Sequence, residues 1–119
     1  MKKIRMVAAA LLLVSASAHA EVSVSTYKQA VAAGGAVKST AETYAIGVAR
    51  GIFWSNAAIT HDTGTPMFCM PPKLGTDQDM VLSITNRYIK EHVGKGVVDN
   101  DTSIELIVLL ALKDTFPCP

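Results

Sequence analysis

The sequence predicts a small all-α domain. Three observations carry that expectation: apolar residues recur every three to four positions in several segments, Ser/Thr-x-x-Glu capping patterns stand ahead of two of them, and no Asn-Gly-type hairpin signal separates alternating runs.

The chain of 119 residues is 50% hydrophobic with a formal charge of +1, but these averages pool two unlike segments. Residues 1–20 carry Lys2, Lys3 and Arg5 and no acid. Met6–Val14 is an apolar run of about nine residues, far short of the roughly 20 that span a bilayer. Ser15–Ala20 is a run of small residues that ends in Ala-His-Ala. A cationic start, a short apolar middle and an A-x-A end form the pattern of a cleaved secretory signal. Cleavage is expected after Ala20, and no Cys stands there to take a lipid. The signal is bacterial in style, which makes the periplasm the expected compartment. Residues 21–119 then form a single domain with 8 Lys and Arg against 10 Asp and Glu, a net charge of −2, and 45 hydrophobic residues. That balance argues against a nucleic-acid surface. The longest later apolar run, Leu106–Leu112, has seven residues, so no membrane association is expected after signal removal.

Within the mature chain, Thr26–Ala33 reads as a short helix stopped by Gly34-Gly35. Ser39-Thr40-Ala41-Glu42 is a capping box, and Ala41, Tyr44, Ala45, Val48 and Ile52 follow at helical spacing. A helix from Thr40 to Ala58 is expected. Gly47 and Gly51 share one face of it, and close approach of another helix is preferred there to a kink or a ligand contact. Phe53 and Trp54 are assigned to the core or its edge. Thr60–Pro66 reads as a polar turn, followed by the apolar Met67–Met70, and Pro71-Pro72 forbids helix. Thr76–Asp79 caps a third helix, with acids at the positive end of its dipole. Val81, Ile84 and Tyr88 form its apolar stripe, Leu82, Ile89 and Val93 widen it, and Arg87, Lys90 and Glu91 face water. Gly94-x-Gly96 ends it. Thr102-Ser103-Ile104-Glu105 is a second capping box. It opens Ile104–Lys113, apolar nearly all round; periodicity alone allows a strand there, but the box and Lys113 at the far end favour a buried central helix.

The two cysteines, Cys69 and Cys118, are expected to pair in an oxidising compartment, enclosing 48 residues. A catalytic or metal-binding thiol is the alternative, but the chain has no C-x-x-C spacing, and His61 and His92 sit in no recognisable signature. Asp77 and Asp79 point apart on a helix, and Gly94-x-Gly96 lacks the third glycine of a phosphate loop. Asn100-x-Thr102 matches a glycosylation sequon, a weak signal in a bacterial chain. No catalytic set, metal-ligand spacing or cofactor motif emerges. The expectation from the residues is an exported, disulfide-tied, all-α binding or chaperone domain rather than an enzyme.

A more specific pattern lies in the C-terminal part: Phe68-Cys69-Met70-Pro71, an amphipathic helix through Tyr88-Ile89, an apolar helix through Ala111-Leu112, then Phe116-Pro117-Cys118-Pro119, all preceded by Tyr44-x-x-Gly47-Val48 and Gly51. Over residues 41–119 this resembles the Rap/Tai immunity proteins of type VI secretion. The resemblance implies a small fold of four to five helices, one intramolecular disulfide, no cofactor and, in many members, a homodimer. It also implies a partner, a papain-like peptidoglycan amidase effector whose active-site cleft the protein plugs. On that reading the Gly94–Asp101 loop is the expected insert, with Lys95, Asp99, Asn100 and Asp101 as candidate partner-binding residues. The Thr60–Pro66 loop, with His61 and Asp62, is a second candidate. The acids before the last helix have an alternative use as its cap. Two other readings stand beside this one: a periplasmic acid-stress chaperone of the HdeA kind, which loosens in acid to expose apolar surface, and a cell-wall enzyme, which would need a free reactive thiol.

Overall fold

The computed structural model describes residues 21–71 and 77–119; the expected signal segment and the Pro72–Thr76 stretch lie outside the described residues. Within them the chain is all-α, with four helices: α1 (Val24–Ala33), α2 (Gly35–Thr63), α3 (Gln78–His92) and α4 (Ile104–Thr115). Each expected helix is present, and Leu106–Leu112 is helical rather than a strand.

Ser23 caps α1, its hydroxyl accepting from the Thr26 amide at 3.2 Å. Gly34, at φ 70°, turns the chain so that α2 begins at once and packs back on α1. α2 is longer than expected at both ends. Ser39-Thr40-Ala41-Glu42 does not start it but lies inside it, and the expected polar turn at Thr60–Thr63 is its last turn. Hydroxyls explain the difference. Thr40, Ser55, Thr60 and Thr63 donate to the carbonyls of Ala36, Gly51, Asn56 and Ile59, four residues back, so these residues meet their hydrogen-bonding needs inside the helix. The helix ends at Gly64, φ 75°, whose amide returns to the Thr60 carbonyl.

Asp77 caps α3 through the amides of Asp79 and Met80. Ser103 caps α4, its hydroxyl accepting from the Leu106 amide. The second capping box is therefore displaced by one residue, which leaves Glu105 free to reach Tyr44 on α2.

The core gathers around α4, where Ile104, Ile107, Val108, Ala111 and Leu112 are wholly buried. Val81, Ile84 and Ile89 come from α3, Ala45 and Ala49 from α2, Val24 and Tyr27 from α1, and Phe68 and Val98 from the connections. The third-helix stripe matches expectation apart from Tyr88, which is half-buried and stacks on His92 with ring centroids 4.1 Å apart. Its Thr85 is also wholly buried, with no partner for the hydroxyl.

Two expectations for α2 are corrected. Phe53 is half-buried and meets Phe68 edge-on at 6.0 Å, but its neighbour Trp54 is 78% exposed. Ala45 and Ala49 carry the inward arc, and Trp54 lies beyond the reach of that arc. Gly47 and Gly51 likewise face outward. A Cβ at either would meet no atom within 4 Å, so no helix among the described residues packs closely against them.

Cys69 and Cys118 form the expected disulfide, with Cα atoms 4.9 Å apart. Around it Asn56 of α2 clamps the apolar connection: its amide donates to the Phe68 carbonyl at 3.0 Å, and its carbonyl accepts from the Met67 amide at 2.7 Å. The Cys69 amide donates to the Phe116 carbonyl at 2.9 Å. The end of α2 and the end of α4 are thus joined in one knot. At the other end of α4, residues 22–25 run antiparallel to 100–104: Ile104 N–H donates to Val22 O at 2.8 Å and Val24 N–H to Thr102 O at 2.9 Å.

Candidate functional site

The Gly94–Asp101 loop joins α3 to α4. Gly94 (φ 79°) and Gly96 (φ 151°) hold backbone conformations that side-chain-bearing residues rarely adopt. The Gly94 amide donates to the Val98 carbonyl at 2.9 Å, and the Lys95 amide to the His92 carbonyl at 3.1 Å. Val98 is buried in the core, while Val97 beside it is 98% exposed. The loop therefore has an anchored base and a tip of Lys95, Gly96 and Val97 in solvent.

Among the residues expected to bind a partner, Asp99 is committed to this base. Its Oδ1 accepts from the Asp101 amide and the Thr102 hydroxyl, and its own amide donates to that hydroxyl at 2.9 Å. Asn100 lends its backbone carbonyl to the Ser25 amide at 2.9 Å. Neither Asp99 nor Asp101 caps α4, since Ser103 does. All four residues, Lys95, Asp99, Asn100 and Asp101, are exposed.

His61 and Asp62 lie elsewhere. They occupy the last turn of α2 as an exposed pair with Nδ1 2.9 Å from Oδ1. That turn is near the disulfide knot at the C-terminal end of α4, whereas the Gly94–Asp101 loop is at its N-terminal end. α4, 12 residues and about 18 Å long, runs between the loop and the disulfide knot. The six candidate residues form two patches, not one site.

Residues absent from the sequence-based set form the larger apolar surface. Trp54 stands on the outer face of α2, and Leu106 of α4 is 42% exposed. An open groove of about 530 Å³ runs between these helices, lined by Val48, Gly51, Ile52, Leu106 and Leu109, with Glu105 at its edge. The signal for this surface was in the sequence: if Ala45 and Ala49 face inward, the uncharged arc of Gly47, Gly51, Trp54 and Ala58 must face out.

The clearest electrostatic feature is a half-buried contact between α2 and α4. The Tyr44 hydroxyl donates to Glu105 Oε1, and its pKa is pushed up to about 12, first by that bond, then by burial and by the charges of Glu105 and Glu21. Tyr27 is raised chiefly by its burial and next by the charge of Glu42, against the lowering effect of its bond to Asn86. Both cysteines are oxidised, and among the described residues no three His, Cys, Asp or Glu side chains converge as a metal-ligand set. Compared with family models, curated proteins and solved structures, the chain gives no match.

Proposed function

We propose that this chain is a periplasmic immunity protein of the Rap/Tai kind, which binds a type VI secreted peptidoglycan amidase and blocks its active-site cleft. The observation that carries the reading is the Gly94–Asp101 loop. Its tip, with Val97 98% exposed, stands on a base held by backbone hydrogen bonds and the buried Val98. A pre-formed projection loses little conformational entropy when it enters a groove, which favours a plug over a loose segment. An apolar tip flanked by Lys95 suits a cleft built around a cysteine and a histidine. The disulfide adds support, since it joins the Cys-x-Pro and Phe-Pro-Cys segments on which the resemblance rests.

The test is a titration of the mature domain against a purified papain-like amidase, such as one encoded beside it. Tight binding with loss of hydrolysis is expected. Val97→Asp, or deletion of Lys95–Val97, should abolish both without changing the circular dichroism of the fold. Inhibition that survives those changes would remove the loop from the mechanism. Absence of binding to any such amidase would end the immunity reading.

A second reading, a holdase of the acid-stress kind, draws support from the apolar side chains already exposed in the folded chain: Val37, Trp54, Ile59, Val97 and Leu106. Suppression of client aggregation near pH 2–3, in the absence of any amidase partner, would place it first.

A further inference from the structure

A cleft of about 500 Å³ opens between α1, α3 and the Gly94–Asp101 loop, and Lys28, Asn86, Lys90 and Asn100 supply its polar side chains. Each is brought there by its own constraint. The Tyr27 hydroxyl donates to Asn86 Oδ1 at 3.2 Å, which ties α1 to α3 next to Lys28. With Oδ1 engaged, the Asn86 side chain still has its amide nitrogen to donate. Lys90 follows Asn86 by one helical turn and shares its face of α3. The Asn100 backbone carbonyl accepts from the Ser25 amide at 2.9 Å, which holds that residue against α1. The charge in the cleft has one sign. α1 carries no acid, and Lys90 has no acid three or four residues away on α3. Residues 1–20 and 72–76 contain no Asp or Glu, so every carboxylate side chain of the protein is among the described residues. None of them lines the cleft, and the ion pairs among the described residues, His61–Asp62 and Arg87–Asp114, use neither lysine. Asp99, beside Asn100 in sequence, has its Oδ1 on the Asp101 amide and the Thr102 hydroxyl.

We propose that this cleft binds a phosphate group, as a phosphate monoester or as inorganic phosphate. Two ammonium groups match a dianion, and a phosphate monoester carries a charge of about −1.5 to −2 at neutral pH. A monocarboxylate would leave one lysine unanswered. No arginine lines the cleft, so the flat fork that clamps a carboxylate by two parallel hydrogen bonds is missing. Ammonium and amide nitrogens on separate side chains are point donors, which suits oxygens spread around a tetrahedral group. The rest of the lining is Ile89, Val93 and Gly94, which gives the organic part of an ester an apolar surface beside the phosphate. The inference does not depend on the amidase reading, although Gly94 and Asn100 belong to the same loop.

The test is a titration of the isotope-labelled protein with inorganic phosphate, glycerol phosphate and acetate at constant ionic strength, followed by its amide resonances. Saturable shifts at Lys28, Asn86, Lys90 and Asn100 are expected with both phosphates, and weaker binding with acetate. Lys28→Gln and Lys90→Gln should each raise the dissociation constant about fivefold. Both side chains are exposed, so the fold should be kept. Lys113→Gln removes the same charge at the far end of α4 and should leave the constant unchanged. Cosedimentation with phosphatidylcholine vesicles containing phosphatidic acid, lost in Lys28→Gln, would assign the phosphate to a lipid headgroup. Binding of glycerol phosphate without cosedimentation would assign it to a soluble ester, and either result supports the site. Shifts that grow without saturating, equally tight binding of acetate, or an equal effect of Lys113→Gln overturns the inference.

Discussion

α2 and α4 make opposite uses of helical structure. α2 has 29 residues and only two wholly buried side chains, both alanine. α4 has 12 residues and five, among them Ile104, Ile107, Val108 and Leu112. The difference is in position and composition. α4 packs against both α2 and α3, its start is paired with residues 22–25, and its end is held by the disulfide knot. α2 touches every other helix, but along one arc of a rod about 43 Å long, so its outer arc stays in solvent. Length therefore measures reach in this fold, and apolar surround measures contribution to the core. The short helix holds the domain together, and the long one presents surface.

The sharpest way to break this contrast is to cut the link between the two helix ends. Replacing Cys69 and Cys118 together by serine should destabilise the domain by about 4 kcal/mol, the chain-entropy value for a loop of this size. Denaturant unfolding in oxidising and reducing buffer measures it. A loss below about 1 kcal/mol would mean that the Asn56 clamp and the core hold the knot unaided.

Next in size, Ile107→Ala on α4 should cost about 3 kcal/mol, since it empties a site with no solvent contact. Trp54→Ala on α2, although it removes a larger side chain, should change stability by no more than about 0.5 kcal/mol. Equal losses would show that the outer arc of α2 is covered in solution.

The contact between the two helices can be weakened with less disruption. Tyr44→Phe removes the donor to Glu105 and should cost about 1–3 kcal/mol. Because the folded-state pKa of Tyr44 is raised to about 12, its proton is held more tightly in the folded chain than in the unfolded one. That stabilisation is present below pH 10 and lost as pH rises from 10 towards 12. Unfolding curves across that interval should differ between the native chain and Tyr44→Phe, whose profile should be flatter.

The smallest effect has the opposite sign. Gly51→Ala should stabilise α2 by about 0.5–1 kcal/mol, because the position is helical, its Cβ would meet nothing, and alanine loses less backbone freedom. A destabilised Gly51→Ala would mean that something outside the described residues packs against the glycine, and a concentration-dependent melting temperature would identify that as a second copy.

Most of the helices were legible because their signals are local. The α3 stripe, its Asp77 cap and the Gly34 stop all act within a turn or two of the residues that carry them. The ends of α2 were not legible. Ser39–Glu42 has the composition of a helix start, and Thr60–Thr63 that of a turn. The outcome depended on whether the threonine hydroxyls bonded inward to the helix carbonyls, and both choices are open to the same residues. The candidate site was read in part. The loop with Lys95 at its tip could be located from Gly94 and Gly96, but the hydrogen bonding of Asp99 depends on Thr102 three residues later, and the separation of His61 and Asp62 from the loop depends on how α2 packs against α4.

The sequence by itself determined the helical class, the inward stripe of α3, the central place of the apolar α4 and the pairing of the two cysteines. Each follows from periodicity, capping or the chemistry of two thiols. Tertiary structure alone decided which arc of α2 is spare, that Glu105 meets Tyr44 rather than closing a capping box, and that residues 22–25 pair with 100–104. These are encounters between residues tens of positions apart, and no local preference of either partner encodes them.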